Sequence, residues 1–61
     1  MKMYKRYYQI TVIDSSNGEV VYRDRTYSGY ETDEEIQMIK QHQNFREPEY
    51  TFDVEYVEQE I

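Results

Sequence analysis

The alternation of apolar and polar positions is sharpest near the end of the chain. Tyr50, Phe52, Val54 and Tyr56 alternate with Thr51, Asp53, Glu55 and Val57. A period of two predicts a strand over 49–58, with one apolar face and one that carries carboxylates. Near the start, Tyr7-Tyr8-Gln9-Ile10-Thr11-Val12-Ile13 is rich in β-branched and aromatic residues and predicts a strand over 4–13. Tyr8, Ile10 and Val12 share one face, and the opposite face is mixed. Apolar residues on both faces suit a central strand. Asp14 to Gly18 reads as a turn, because Asn17-Gly18 supplies the positive φ that tight hairpins need. The returning strand covers 19–27. Arg23, Asp24 and Arg25 in succession place it at an edge, where charge is tolerated.

Between the second and third strands the period changes. Thr32 followed by Glu35 fits a capping box, with Asp33, Glu34 and Glu35 in the first turn, where the helix dipole favours negative charge. The pattern predicts one helix over 32–44. Ile36, Ile39 and Gln43 lie on one side of it and Met38 stands apart. Phe45 closes the far end, and Arg46-Glu47-Pro48 stops the helix. Glu58 to Ile61 are expected to fray.

The element order is thus ββαβ in a single domain spanning 1–61. The expected fold is α+β, a three-stranded antiparallel sheet in the order 2-1-3 with one helix packed on it. A chain of 61 residues buries only roughly 60% of its unfolded surface, and with no cysteine it has no disulfide staple. Oligomerisation is a common remedy, so a homodimer is expected.

Charge changes this picture from a plain small fold to one with a polarity. Up to Gly29 there are five Lys/Arg against three Asp/Glu; from Tyr30 onward there are two against ten. The balance moves from +2 to −8, for a net charge of −6. Such a chain is repelled by nucleic acid, whose binding depends on cations neutralising phosphates. It is attracted to basic clefts instead. Lys2, Lys5 and Arg6 among Tyr4, Tyr7 and Tyr8 could form a stacking surface for single strands, but the net charge argues for strand packing. Eight tyrosines exceed what so small a core can bury, and tyrosine is favoured where proteins meet.

Catalytic and metal chemistry find little footing. His42 is the single histidine; Ser15, Ser16 and Ser28 sit in turns with no base near in sequence. Carboxylate pairs such as Glu34/Glu35 could do acid–base work only in a concave pocket, for which this fold has little room. Asp33, Glu34 and Glu35 lack the glycine-turned loop of a calcium site. No enzyme, no metal and no cofactor are expected. No apolar run is long enough to cross a membrane, and no apolar segment follows the basic Met1–Arg6 stretch. A cytoplasmic protein is the expectation.

The strand Tyr8 to Ile13, the turn Asp14 to Gly18, the strand Glu19 to Tyr27, Gly29 before the helix, and the closing strand Tyr50 to Val57 together resemble the small uracil-DNA glycosylase inhibitors of short-tailed Bacillus phages. The resemblance covers nearly the whole chain in pattern and rests on no diagnostic motif. It implies a homodimer that mimics DNA. It further implies a glutamate on the helix, at Glu34 or Glu35 here, and a pocket that takes an apolar side chain from the enzyme's DNA-binding loop. The aromatic residues which that family places on the helix are absent near Glu34, Glu35, Met38 and Ile39; Tyr30, Ile36 and Ile39 are the nearest substitutes. The loop before the last strand is also longer than in the family pattern. The expected partner is host uracil-DNA glycosylase. It would be met by Glu31, Asp33, Glu34 and Glu35 as phosphate mimics, with Ile36, Met38 and Ile39 as the apolar receptor and Tyr30 as a substitute for the pocket's aromatic lining. Two alternatives stand beside this reading: an acidic mimic aimed at another DNA-binding enzyme, such as a restriction or CRISPR nuclease, and an interaction module whose charge serves solubility alone.

Overall fold

The computed structural model describes residues 2–61. Its elements are β1 (Tyr4–Asp14), β2 (Val20–Thr26), α1 (Gly29–His42) and β3 (Tyr50–Glu60). The three strands form one sheet in the order β2-β1-β3, with both neighbouring pairs antiparallel. The fold is therefore α+β with β1 in the centre, as the mixed character of its two faces predicts. The molecule is thin, 45 × 23 × 13 Å.

The core lies between the helix and the even-numbered face of β1. Ile10, Val12 and Ile39 are buried, and Tyr22, Ile36, Phe45, Tyr50 and Phe52 pack around them. Phe45 holds the far end, with its ring 4.8 Å from that of Tyr50 and 6.1 Å from that of Tyr22. The helix packs over β2 and β1. It leaves the middle of β3 open, so Val54 and Tyr56 remain 43% and 51% exposed on the apolar side of their strand.

Both helix ends and one detail of the hairpin differ from the sequence reading. The turn between β1 and β2 falls over Asp14–Gly18, as expected. Asp14 N–H donates to Glu19 O and Gly18 N–H donates to Asp14 O, both at 2.8 Å, so the loop closes over four residues. Only Gly18 takes positive φ there, at 76°. Asn17 instead accepts from Glu19 N–H through its side chain. The helix starts three residues earlier than expected. Its cap is Ser28, whose hydroxyl accepts from Glu31 N–H at 3.1 Å, while the Glu31 carboxylate accepts from Tyr27 N–H at 3.0 Å. This is the hydroxyl–carboxylate reciprocity assigned above to Thr32 and Glu35, one turn upstream.

Thr32 has another task. It is buried at 4%, its hydroxyl donates to Ser28 O, and Thr26 donates to it in turn. A helix pinned to the end of β2 by two threonines cannot also begin at one of them. The C-terminus is set by Asn44, which adopts a left-handed φ of 58° after the cap residue Gln43. Pro48, expected above to stop the helix, lies four residues further on. A left-handed residue just after the cap is a common way for a helix to end. The final residues do not fray: β3 pairs with β1 as far as Glu60 opposite Tyr4, and Ile61 N–H donates to Met3 O at 2.9 Å.

Among the described residues, no helix is long and apolar enough to cross a membrane.

Candidate functional site

The helix returns along the sheet from the Thr26 end of β2. In the register, Thr26 and Tyr56 both stand opposite Tyr8, so the helix N-terminus and the second half of β3 share one end of the molecule. Four of the eight tyrosines are exposed, and all four belong to this end: Tyr4, Tyr27, Tyr30 and Tyr56. The same end carries the exposed carboxylates Glu31, Asp33, Glu34, Glu58 and Glu60.

Among the eight residues picked out from sequence, the structure makes two groups. Tyr30, Glu31, Asp33 and Glu34 are exposed in the first turns of the helix. At about 100° per residue they do not form one row. Glu31 and Glu34 lie on the flank toward β2, and Asp33 lies on the flank toward β3. The second group is turned into the protein or away from this end. Ile39 is 2% exposed and part of the core. Ile36 is half-buried against that core. Met38 is half exposed on the β2 flank, beside Tyr22 and His42 in a shallow depression of about 150 Å³. These three side chains do not line one receptor.

Glu35 is half-buried and faces Asp24 on β2. A hydrogen bond shared with the Asp24 carboxylate pushes its pKa up; burial and the repulsion of the same charge add to the shift.

An apolar strip that sequence reading did not single out runs beside the helix instead. Tyr8 and Tyr56 pack at 5.2 Å between ring centroids, and Val54 continues the row on β3. Tyr56 donates its hydroxyl to Glu58, which also pairs with Arg6 at 3.5 Å. Partial desolvation raises the Tyr56 pKa, and the hydrogen bond to Glu58 and the nearby negative charge raise it further. The signal for this strip was present in the clean alternation of β3. What was missing was the lateral position of the helix, which decides which apolar residues stay uncovered.

The remaining chemistry is structural. Ser16 donates to Asp14 at 2.6 Å, and its backbone N–H donates to the same oxygen, so the Asp14 carboxyl is held below its usual range. The Ser15 hydroxyl bonds that of Thr51. The turn end holds an open hollow of about 460 Å³ lined by Asp14, Ser15, Ser16, Pro48, Glu49 and Tyr50, with no histidine in it. Among the described residues, no group of three His, Asp or Glu side chains is arranged to hold a metal ion.

The chain matches no protein family model, no curated protein and no solved structure.

Proposed function

We propose that the protein is a non-catalytic inhibitor that mimics DNA, acting as a homodimer in the DNA-binding groove of a host uracil-DNA glycosylase. The observation that supports this reading most is the gathering of exposed carboxylates and exposed tyrosines at one end of the fold. Asp33 on the helix and Glu58 on β3 border the Tyr8–Val54–Tyr56 strip, and Glu31 and Glu34 carry the acidic surface onto the opposite flank of the helix. In this reading the carboxylates take the place of phosphates, and the strip takes the place of the bases. Tyrosine suits the second part, since it offers a large, stiff, amphipathic surface at low entropic cost. The resemblance of the strand and turn pattern to the phage inhibitors supplies the target. Ile36, at the edge of the strip, keeps a part in the contact; Ile39 supports it from the core.

The test is a titration of a purified bacterial uracil-DNA glycosylase, followed by calorimetry. Binding is expected, and it should weaken with added salt, because exposed charges are screened over about 10 Å at 0.1 M. Reversal of Glu31, Asp33 and Glu34 to lysine should abolish it, and Tyr56→Ala should reduce it. Heat traces indistinguishable from dilution at every salt concentration would remove the reading.

A further inference from the structure

The face of the sheet turned away from the helix carries a charge pattern that fits its own copy. In an antiparallel pair, residues opposite each other point to the same face. The register therefore sets Arg25, Gln9 and Glu55 in one row across this face, and Arg23, Thr11 and Asp53 in the next. In these two rows cations stand on β2, neutral side chains on β1 and carboxylates on β3; one further cation, Lys5, lies on β1 beyond them, over the Tyr7 ring. Apolar pairs bracket the charged rows: Tyr7 with Val57 at one end, and Ile13 with Val20 at the other.

Among the described residues, none of these four charges makes an ion pair. Among the described residues the ion pairs are Arg6–Glu58 and Lys40–Glu47, and neither involves this face. Two strand spacings, about 10 Å, separate the arginine and carboxylate columns. Gln9 does not bridge the gap, because its amide is folded down onto the carbonyls of Asp24 and Ile10. Arg25 is held over the face, with its guanidinium 4.5 Å from the Tyr7 ring centre.

We infer that this helix-free face is where two copies of the chain meet, stacked face to face about a two-fold axis that runs along β1. That axis carries β2 of one copy over β3 of the other and preserves the level of each row. Arg25 then faces the partner's Glu55 and Arg23 faces the partner's Asp53, twice over by symmetry. Sheets stack about 10 Å apart, within the joint reach of an arginine and a carboxylate. The two other simple pairings fail on charge. An axis across the strands lays β2 on β2, arginine against arginine. Edge pairing of β3 with itself brings acidic strands together, where like charges destabilise. The interface specifies the geometry of the homodimer and leaves the tyrosine-rich, acidic end of each copy free, so it stands or falls separately from the inhibitor reading.

The face measures about 14 by 23 Å from strand spacing and rise. At about 320 Å² per copy that footprint is below the size of stable interfaces and in the weak, transient class, so a dissociation constant of about 0.1–1 mM is expected. Sedimentation equilibrium up to about 1 mM provides the test, with circular dichroism as the check on folding. The wild type should dimerise. The double variants Arg23→Glu/Arg25→Glu and Asp53→Lys/Glu55→Lys should each be folded monomers. Mixed in equal amounts, they should restore the dimer, because every facing pair is again opposite in sign. Should either swap unfold the chain, the milder Arg25→Gln and Glu55→Gln variants should each weaken self-association at least several-fold. A monomeric wild type at 1 mM, a dimer indifferent to the swaps or to the milder variants, or folded variants that ignore each other would overturn the assignment.

Discussion

Arg25 and Glu55 flank Gln9 from opposite sides, at one level of the sheet and on one face, and make no ion pair among the described residues. Their separation follows from the strand order. With β1 in the middle, the cationic first half of the sequence and the anionic second half are set on opposite edges. A charge split along the chain thus becomes a charge split across the sheet.

One consequence concerns the monomer alone. Neither Arg25 nor Glu55 has an internal ionic partner to lose, so Glu55→Gln should leave the thermal stability of the dilute protein nearly unchanged. Surface substitutions of this kind usually stay within about 0.5 kcal/mol. Thermal unfolding at low protein concentration checks it; a loss of many degrees would reveal a contact inside the monomer.

The helix cap makes a sharper demand. Ser28→Ala removes the acceptor for Glu31 N–H and should cost about 1 kcal/mol. For a domain of this size that lowers Tm by about 4–8 °C. Thr32→Val tests the competing assignment. It should also destabilise, but by leaving the buried Thr26 hydroxyl without its acceptor. The two are told apart by the double variant with Thr26→Val, which removes the orphaned group and should recover part of the loss for Thr32 and none for Ser28.

Glu35 gives the fold a definite response to acid. Its pKa is raised in the folded state, so the native protein holds this proton more tightly than the unfolded chain does. Its contribution to stability is present at low pH and is lost as pH rises through the folded value. Glu35→Gln keeps a hydrogen-bond donor to Asp24 and removes the repulsion. The variant should melt above the wild type near neutral pH, with the gap closing as pH falls below the carboxylate range. Asp14 acts in the opposite sense. Its pKa is lowered, so its contribution is present above the usual aspartate value and is lost as pH falls through the folded one. Melting curves of wild type, Glu35→Gln and Asp14→Asn across acidic pH should separate the two.

Neighbouring helix positions should also part company. Ile39→Ala opens a cavity beside Ile10 and Val12, for which the usual cost is about 2–5 kcal/mol. That approaches the whole stability expected of so small a domain, so the variant should be largely unfolded by circular dichroism. Met38→Ala, one position away on a half-exposed flank, should leave the fold intact.

Much of the architecture was legible in the sequence. Period-two alternation located β3, β-branched and aromatic content located β1, and the return from the Asp14–Gly18 turn located β2; the mixed faces of Tyr7–Ile13 put β1 in the centre, and the Arg23-Asp24-Arg25 run put β2 at an edge. The helix start was misplaced because Ser28-x-x-Glu31 and Thr32-x-x-Glu35 are the same signal one turn apart. Only the tertiary demand on Thr32, which meets Thr26, separates them. The surface was harder to read. The acidic first turn is not the expected one: it holds Glu31, and Asp33 and Glu34 fall in the next turn and diverge around the helix. Ile39 belongs to the core, and Tyr56 with Val54 becomes exposed through the sideways placement of the helix. Spacing along a chain does not encode that placement.

The most direct measurement is uracil excision from DNA by a bacterial uracil-DNA glycosylase, titrated with the purified protein. Excision should fall toward zero near stoichiometric inhibitor, and the Glu31→Lys/Asp33→Lys/Glu34→Lys variant should restore it. Full excision in the presence of a large excess of the folded wild-type protein would contradict the account.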